Sequence, residues 1–164
     1  MRSKRLFAVL ILALGLCAAA SAQGSRAFGL RAGWGLEASY QHSFFDPHFL
    51  EVDLGVDFVG QKGFRLTGVY DFVLFHPSLT GGGEWSFYLG PGVSMGYVFN
   101  TGAAEPTFMV AACAQLGMEW LLWDHLGLSV DIRPMYGWDF GGKKAYEGGL
   151  FYGLIPSLGL RFVF

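Results

Sequence analysis

From Phe28 onward, large apolar side chains fall at every second position. In the first window Phe28, Leu30, Ala32, Trp34, Leu36, Ala38 and Tyr40 alternate with Gly29, Arg31, Gly33, Gly35, Glu37, Ser39 and Gln41. A period of two is the signature of a strand whose two faces meet different surroundings. The same alternation continues through six further windows. Together they predict strands over 27–41, 48–59, 63–75, 85–99, 108–122, 125–138 and 150–164. A helical period of 3.6 fits none of them better.

The two faces differ in bulk as well as polarity. One carries Trp, Phe, Leu and Tyr on every predicted strand, and the other is rich in glycine, small residues and charge. An eight-stranded barrel has an interior just wide enough to be filled by side chains. The bulky face therefore fits outside and the lean face inside, the polar-in, apolar-out order of a transmembrane β-barrel. The expected fold is all-β, an antiparallel up-and-down barrel. The expected lumen set is Arg31, Glu37, Glu51, Asp53, Asp57, Arg65, Asp71, Glu119, Asp131, Arg133 and Arg161. Opposite charges are available there to pair.

Composition agrees with this placement. Hydrophobic residues make up 52% of the 164-residue chain and charged residues 15%, against about 25% charged in soluble domains. Beyond the first two dozen positions no unbroken apolar run reaches the ~18 residues of a helical span.

The N-terminus reads as an address. Arg2, Lys4 and Arg5 precede the apolar run Leu6 to Leu16, and Ala20-Ser21-Ala22 offers small residues for cleavage. This is the three-part pattern of a secretory signal peptide. Cys17 follows Leu16 rather than a small residue, so a lipoprotein site is not expected. Residues 1–22 are thus a signal peptide, cleaved near Ala22, and 23–164 one barrel domain. Processing leaves 142 residues, with eight basic residues against 13 acidic ones, a net charge of −5. That sign argues against a nucleic-acid partner. Cys113 is then the one remaining cysteine, expected as a small lumen residue, so no intramolecular disulfide is expected.

Seven strands are legible, but single-chain barrels have an even number, so eight are expected. Reading forward, 42–47 is an outer loop, 60–62 an inner turn and Gly81-Gly82-Gly83 part of an outer loop. Reading back from Phe164, 139–149 is outer and Trp123-Asp124-His125 an inner turn. The two readings collide between 85 and 107. The hidden reversal is therefore expected there, at Gly90-Pro91-Gly92 or within 100–106. Trp34, Tyr40, Trp85, Trp120, Trp123, Tyr136 and Trp138 lie mostly near strand ends, where aromatics favour a membrane interface; Trp34 also reads as lipid-facing bulk.

These features resemble the small outer-membrane β-barrel domains of Gram-negative bacteria, the OmpA/OmpX/OmpW-like group. The closing stretch carries Leu158, Leu160, Phe162 and Phe164 at alternate positions, similar to the signal that the barrel-insertion machinery reads in such proteins. Gly29-Leu-Arg-Ala-Gly33, Tyr88-Leu-Gly-Pro-Gly92 and Leu128-Ser-Val-Asp-Ile-Arg-Pro134 look like stretches that recur in them. The resemblance spans essentially the whole processed chain. It implies a monomer in the cell outer membrane, with lipid and lipopolysaccharide as partners and the insertion machinery engaged during biogenesis. Lys143 and Lys144 are candidates for contact with anionic lipopolysaccharide. The peptidoglycan-binding domain of larger relatives is not expected after Phe164.

No catalytic activity and no cofactor are expected. His76, Ser78 and Glu84 are the one grouping suggesting nucleophilic catalysis, similar to the triad of lipid A deacylases of this fold. They fall in a Pro- and Gly-rich loop, where the plainer reading is a solvated turn. His42, His48, Asp46 and Glu51 could approach a metal at the first hairpin, but spacing alone carries little weight. Gly29-x-x-x-Gly33 and Gly81–Gly83 precede no helix, which excludes a phosphate loop. The expected role is structural or surface interaction through 42–47, 76–84 and 139–149, with a small diffusion channel as an alternative.

Overall fold

The computed structural model describes residues 25–59, 62–79, 81–99, 106–140 and 154–164. The expected signal peptide, Lys143, Lys144 and the first residues of the last expected strand lie outside the described residues.

The described chain is all strand and turn: β1 (Arg26–Ala32), β2 (Gly35–Phe45), β3 (His48–Asp57), β4 (Gly63–Phe75), β5 (Glu84–Val98), β6 (Thr107–Leu122), β7 (Leu126–Ile132, resumed as Met135–Asp139) and β8 (Ser157–Val163). Each pairs antiparallel with its sequence neighbour, and β8 pairs with β1. The result is a closed eight-stranded, up-and-down β-barrel. Closure removes the unpaired edges that an open sheet would expose. The two parts of β7 keep one register against β6, from Leu116↔Ile132 to Cys113↔Met135. Pro134, which has no N–H to donate, marks the join, and its carbonyl accepts from Ala114 N at 3.1 Å.

The eighth strand is not where the sequence placed it. β5 runs unbroken through Pro91; its ladder with β4 skips the pairs around that residue, between Val69↔Gly92 and Phe72↔Leu89, and shifts register once more between Val73 and Phe75. The hidden reversal lies inside the first expected strand, at Gly33-Trp34. There Ala32 pairs with Leu36, and Gly33 N donates to the Gly35 carbonyl at 3.0 Å. Three residues separate Ala32 from Leu36, an odd number. Both flanking residues therefore keep the same parity and the same face, and the alternation passes through the hairpin unmarked.

This correction re-sorts the loops. Ser25 and Phe164 share one end of the barrel with 46–47, 76–79, 81–83 and Trp123-Asp124. The opposite end carries Gly33-Trp34, Phe58, Val59, Lys62, Phe99, Pro106, Phe140 and 154–156. Residues 42–47, 76–79 and 81–84 thus lie away from Asp139 and Phe140 rather than beside them, and Lys62 lies with Asp139; the rest of 139–149 lies outside the described residues. Trp34 sits in a turn, where its carbonyl accepts from Phe58 N at 3.2 Å and Val59 N at 2.9 Å. At the other end Trp123 and Asp124 both have positive φ (49° and 62°), and His125 N donates to the Leu122 carbonyl at 3.1 Å. Two left-handed central residues match the right-handed twist of the flanking strands. The last strand is shorter than expected: 154–156 are not strand, and β8 begins at Ser157.

Candidate functional site: the charged lumen

Alternation gives each strand an outer and an inner row. The outer row exposes large apolar side chains around the whole barrel, including Leu30, Leu54, Leu66, Leu89, Val110, Leu128 and Leu160. Leu158, Phe162 and Phe164 are also more than half exposed. Aromatic contacts punctuate this wall, among them the stacked Trp85–Trp120 pair at 5.1 Å. An apolar groove of about 500 Å³ lies on it, lined by Leu30, Trp85, Trp120, Leu128, Leu158 and Leu160 among others.

The inner row carries charge. Arg31, Glu37, Glu51, Asp53, Arg65, Asp71, Asp131, Arg133 and Arg161 are all buried, and Asp57 and Glu119 are nearly so. Most of them form one connected system. Arg31, on β1, grips Asp131 of β7 through Nε and Nη2 and reaches Glu37 Oε2 at 2.5 Å through Nη1. Glu37 also meets Arg65 at 2.7 Å, and Arg65 meets Asp57 at 3.0 Å. Arg133 reaches Glu51 at 2.9 Å and Asp53 at 2.6 Å, and its 3.7 Å contact with Glu37 joins the two halves of the system. Arg161 reaches Glu51 at 2.8 Å and Glu119 at 3.1 Å. Two carboxylates act as hubs: Glu37 meets three guanidinium groups, and Glu51 is shared by two and by the amide of Gln41 at 3.0 Å. Buried charges persist only when paired and hydrogen-bonded, and a chain of contacts from strand to strand meets that need.

Several neutral partners complete the system. Gln115 accepts from Arg133 Nε at 2.7 Å and donates to Glu51 at 3.4 Å. Ser129 accepts from Arg161 Nη1 at 2.7 Å and Ser39 from its Nε at 3.2 Å. Sequence reading did not single out Gln115, Ser39 or Ser129. The signal available was their inward parity, which marks a face but not a partner. Gly117 faces Tyr88 and Asp131. A Cβ there would lie 2.5 Å from the Tyr88 hydroxyl and 2.6 Å from Asp131 Cβ, so glycine makes room for both.

The lumen is not charged throughout. Val69, Val98, Met109, Ala111, Cys113 and Met135 form a small buried apolar cluster. Arg65 Nη1 lies 3.5 Å from Met135 Sδ, where the two regions meet.

The other candidates separate. Glu51 belongs to the arginine system, while His48 Nδ1 accepts from Val73 N at 3.1 Å and His42 stacks edge-on with Phe44. The four residues weighed for a metal are therefore not one site. His76, Ser78 and Glu84 line one shallow depression with Gly83 and Trp85. The bonds of His76 Nδ1, however, run to Ser86 Oγ at 3.0 Å and the Trp85 carbonyl at 3.2 Å. A polar cavity of about 170 Å³ opens at the chain-terminal end, lined by Gln41, Asp46, Phe49, Glu84, Ser86 and Glu119 among others.

No known family signature matches the sequence, and no curated protein matches it. Solved structures do. The N-terminal β-barrel domain of Pseudomonas aeruginosa OprF aligns at 15% identity and a TM-score of 0.59, covering 87% of this chain and all of that one. Neisserial surface protein A aligns at 13% identity and 0.48, covering 85% of this chain and 91% of that one. A designed transmembrane β-barrel aligns at 16% and 0.43, covering 88% and 98%. The likeness to the OprF domain is one of fold, that of an eight-stranded barrel from an outer-membrane protein.

Proposed function

We propose that the chain is an outer-membrane β-barrel protein of Gram-negative bacteria, similar to the OmpA/OmpX/OmpW-like group. It is exported by a signal peptide cleaved near Ala22 and inserted as a monomer through the signal ending at Phe164. One observation supports this most: the barrel buries its ion pairs and turns its large apolar side chains outward on every strand. A soluble barrel would reverse that order, because water rewards charge on the outside. Closed strands also leave no sheet edge whose backbone donors and acceptors would face lipid, which offers none.

The role is structural, or surface interaction through the loops. Outer-membrane barrels have short periplasmic turns and longer extracellular loops. The end with Gly33-Trp34, 58–62, 99–106 and 140–156 carries the longest connection and takes the extracellular side. Lys143 and Lys144 belong to that connection and suit contact with lipopolysaccharide. The lumen is filled by its own side chains, which favours a closed barrel over a diffusion channel. No catalysis is proposed. A lipid A hydrolase built on His76, Ser78 and Glu84 would stand at the periplasmic end, away from the outer leaflet.

Fractionation followed by gel migration with and without boiling tests the core of this reading. The expected result is an outer-membrane protein whose unboiled form migrates faster. A soluble periplasmic protein would overturn it. Unchanged lipid A acylation in a Ser78→Ala strain, and the absence of conductance steps in planar bilayers, are the expected outcomes for the two alternatives.

A further inference from the structure

Two rows of outward side chains cross neighbouring strands of the barrel in register. The first is Leu30, Leu160, Leu128, Trp120 and Trp85, each paired with the next across β1, β8, β7, β6 and β5. The second, one pleat further along, is Ala32, Leu158, Val130 and Met118. Together these side chains line the apolar groove of about 500 Å³. Ser129 and Gly159 also border it. They alternate with Leu128, Val130, Leu158 and Leu160 and turn inward, so strand backbone forms the floor.

The groove has the dimensions of one hydrocarbon chain. Four strand spacings of about 4.8 Å make it about 19 Å long. Its volume over that length gives a trough about 5 Å across. Strands of such barrels tilt by about 35–45°, so a row perpendicular to them slants at about 45–55° from the bilayer normal. The trough then spans about 12 Å of depth, most of the roughly 15 Å hydrocarbon half of a bilayer.

One end of the groove is fixed in place. Trp85 and Trp120 stack at 5.1 Å with ring planes 5° apart. Trp120 Nε1 donates to the Gly82 carbonyl at 2.7 Å. Gly83 has a φ of 87°, and a Cβ on it would lie 2.6 Å from Trp120 Nε1, so glycine lets the 81–83 turn close on the indole. This end lies beside that turn, at the end of the barrel that carries Ser25 and Phe164, and indoles favour the membrane interface. The other end stops at Ala32, whose small side chain leaves the trough open.

Lipid tails are as apolar as the wall, so burial alone selects no lipid. Shape does: a chain packs closely against a surface that is already ordered, and little ordering cost opposes it. A second copy of the barrel offers a convex wall, which so narrow a trough does not admit. We propose that the groove binds one acyl chain of a phospholipid, drawn from the leaflet at the end that carries Trp85 and Trp120. The site rests on the reading of the chain as a membrane barrel.

The test uses the full barrel folded in detergent micelles and native mass spectrometry, with palmitoyl-oleoyl phosphatidylethanolamine titrated in. The expected result is one bound lipid in excess of the chance distribution. Dihexanoyl phosphatidylethanolamine, with the same headgroup and short chains, should not give it. Ala32→Phe fills the trough and should raise the half-saturation by about tenfold or more. Val130→Phe, in the same row on another strand, should do the same and serves if Ala32→Phe does not fold. Ala112→Phe puts an equal ring on the exposed wall outside the groove and should leave binding unchanged. Binding that survives both fillings, a chance distribution alone, or an equal response to the short-chain lipid would overturn the proposal. Tighter binding of lipid A than of the phospholipid would overturn it as well, since that assigns the groove to the other leaflet. A heat-modifiable membrane barrel that holds no such lipid defeats this site alone. A protein soluble without detergent defeats the membrane reading and the site with it.

Discussion

The lumen of this barrel is filled in two ways. Around Glu51, the guanidinium groups of Arg133 and Arg161 and the amides of Gln41 and Gln115 converge from different parts of the barrel wall on one carboxylate. Around Met109 and Met135, neighbouring strands fill the same kind of space with thioether and methyl groups. Charged filling is all-or-nothing, because a missing partner leaves a buried ion. Apolar filling is graded, because a missing group leaves only a void. The difference explains why one region needs inter-strand precision and the other only volume.

The largest expected effect breaks the charged centre. Glu51→Gln removes the partner shared by Arg133 and Arg161, and should cost about 3–5 kcal/mol of folding free energy, read by urea titration in lipid vesicles. A loss as small as that of an apolar truncation would erase the contrast. On the outer wall, Leu160→Arg should cost about 2–4 kcal/mol in a bilayer, and much less if the wall faced water. In the apolar region Met109→Ala should cost about 2 kcal/mol, at the low end for a buried methionine, in the same titration. The finest test is a double replacement. Asp131→Leu alone takes one of the two carboxylates that Arg31 meets, whereas Arg31→Met with Asp131→Leu removes both charges of the pair. The pair together should cost less than Asp131→Leu alone, because a matched apolar pair carries no unpaired ion. Equal costs would mean that the ion pair itself, rather than the satisfaction of each partner, stabilises the region.

Much of this was legible beforehand, and the errors are as instructive as the agreements. Inward and outward rows were readable because side chains alternate strictly along a strand. The turn at Trp123-Asp124 was readable because it interrupts the apolar row. The turn at Gly33-Trp34 was not, since its odd spacing leaves the alternation intact. Pro91 looked like a possible break, yet the strand passes it by dropping a few ladder pairs. Misplacing that one reversal also reversed the ends assigned to 42–47, 60–62 and 76–84.

The residues of the lumen were identifiable one by one, but their partners were not. Arg31 and Asp131 are 100 positions apart, and Arg161 and Glu51 110. Parity says only that such residues share an interior. Which of them touch depends on the stagger between strands, which hydrogen-bond registers set around the whole closed ring.

The sequence by itself therefore determined the strand character, the two faces, the apolar exterior and the charged interior, because a period of two is a local property of the backbone. Tertiary structure alone decided where the chain first turns back, which described turns share an end, that Glu37 and Glu51 gather the arginines and that Asp71 is left without an ion pair among the described residues. Those are properties of closure: only when β8 meets β1 does every inward charge acquire a fixed set of neighbours, and only then can one be found without a partner.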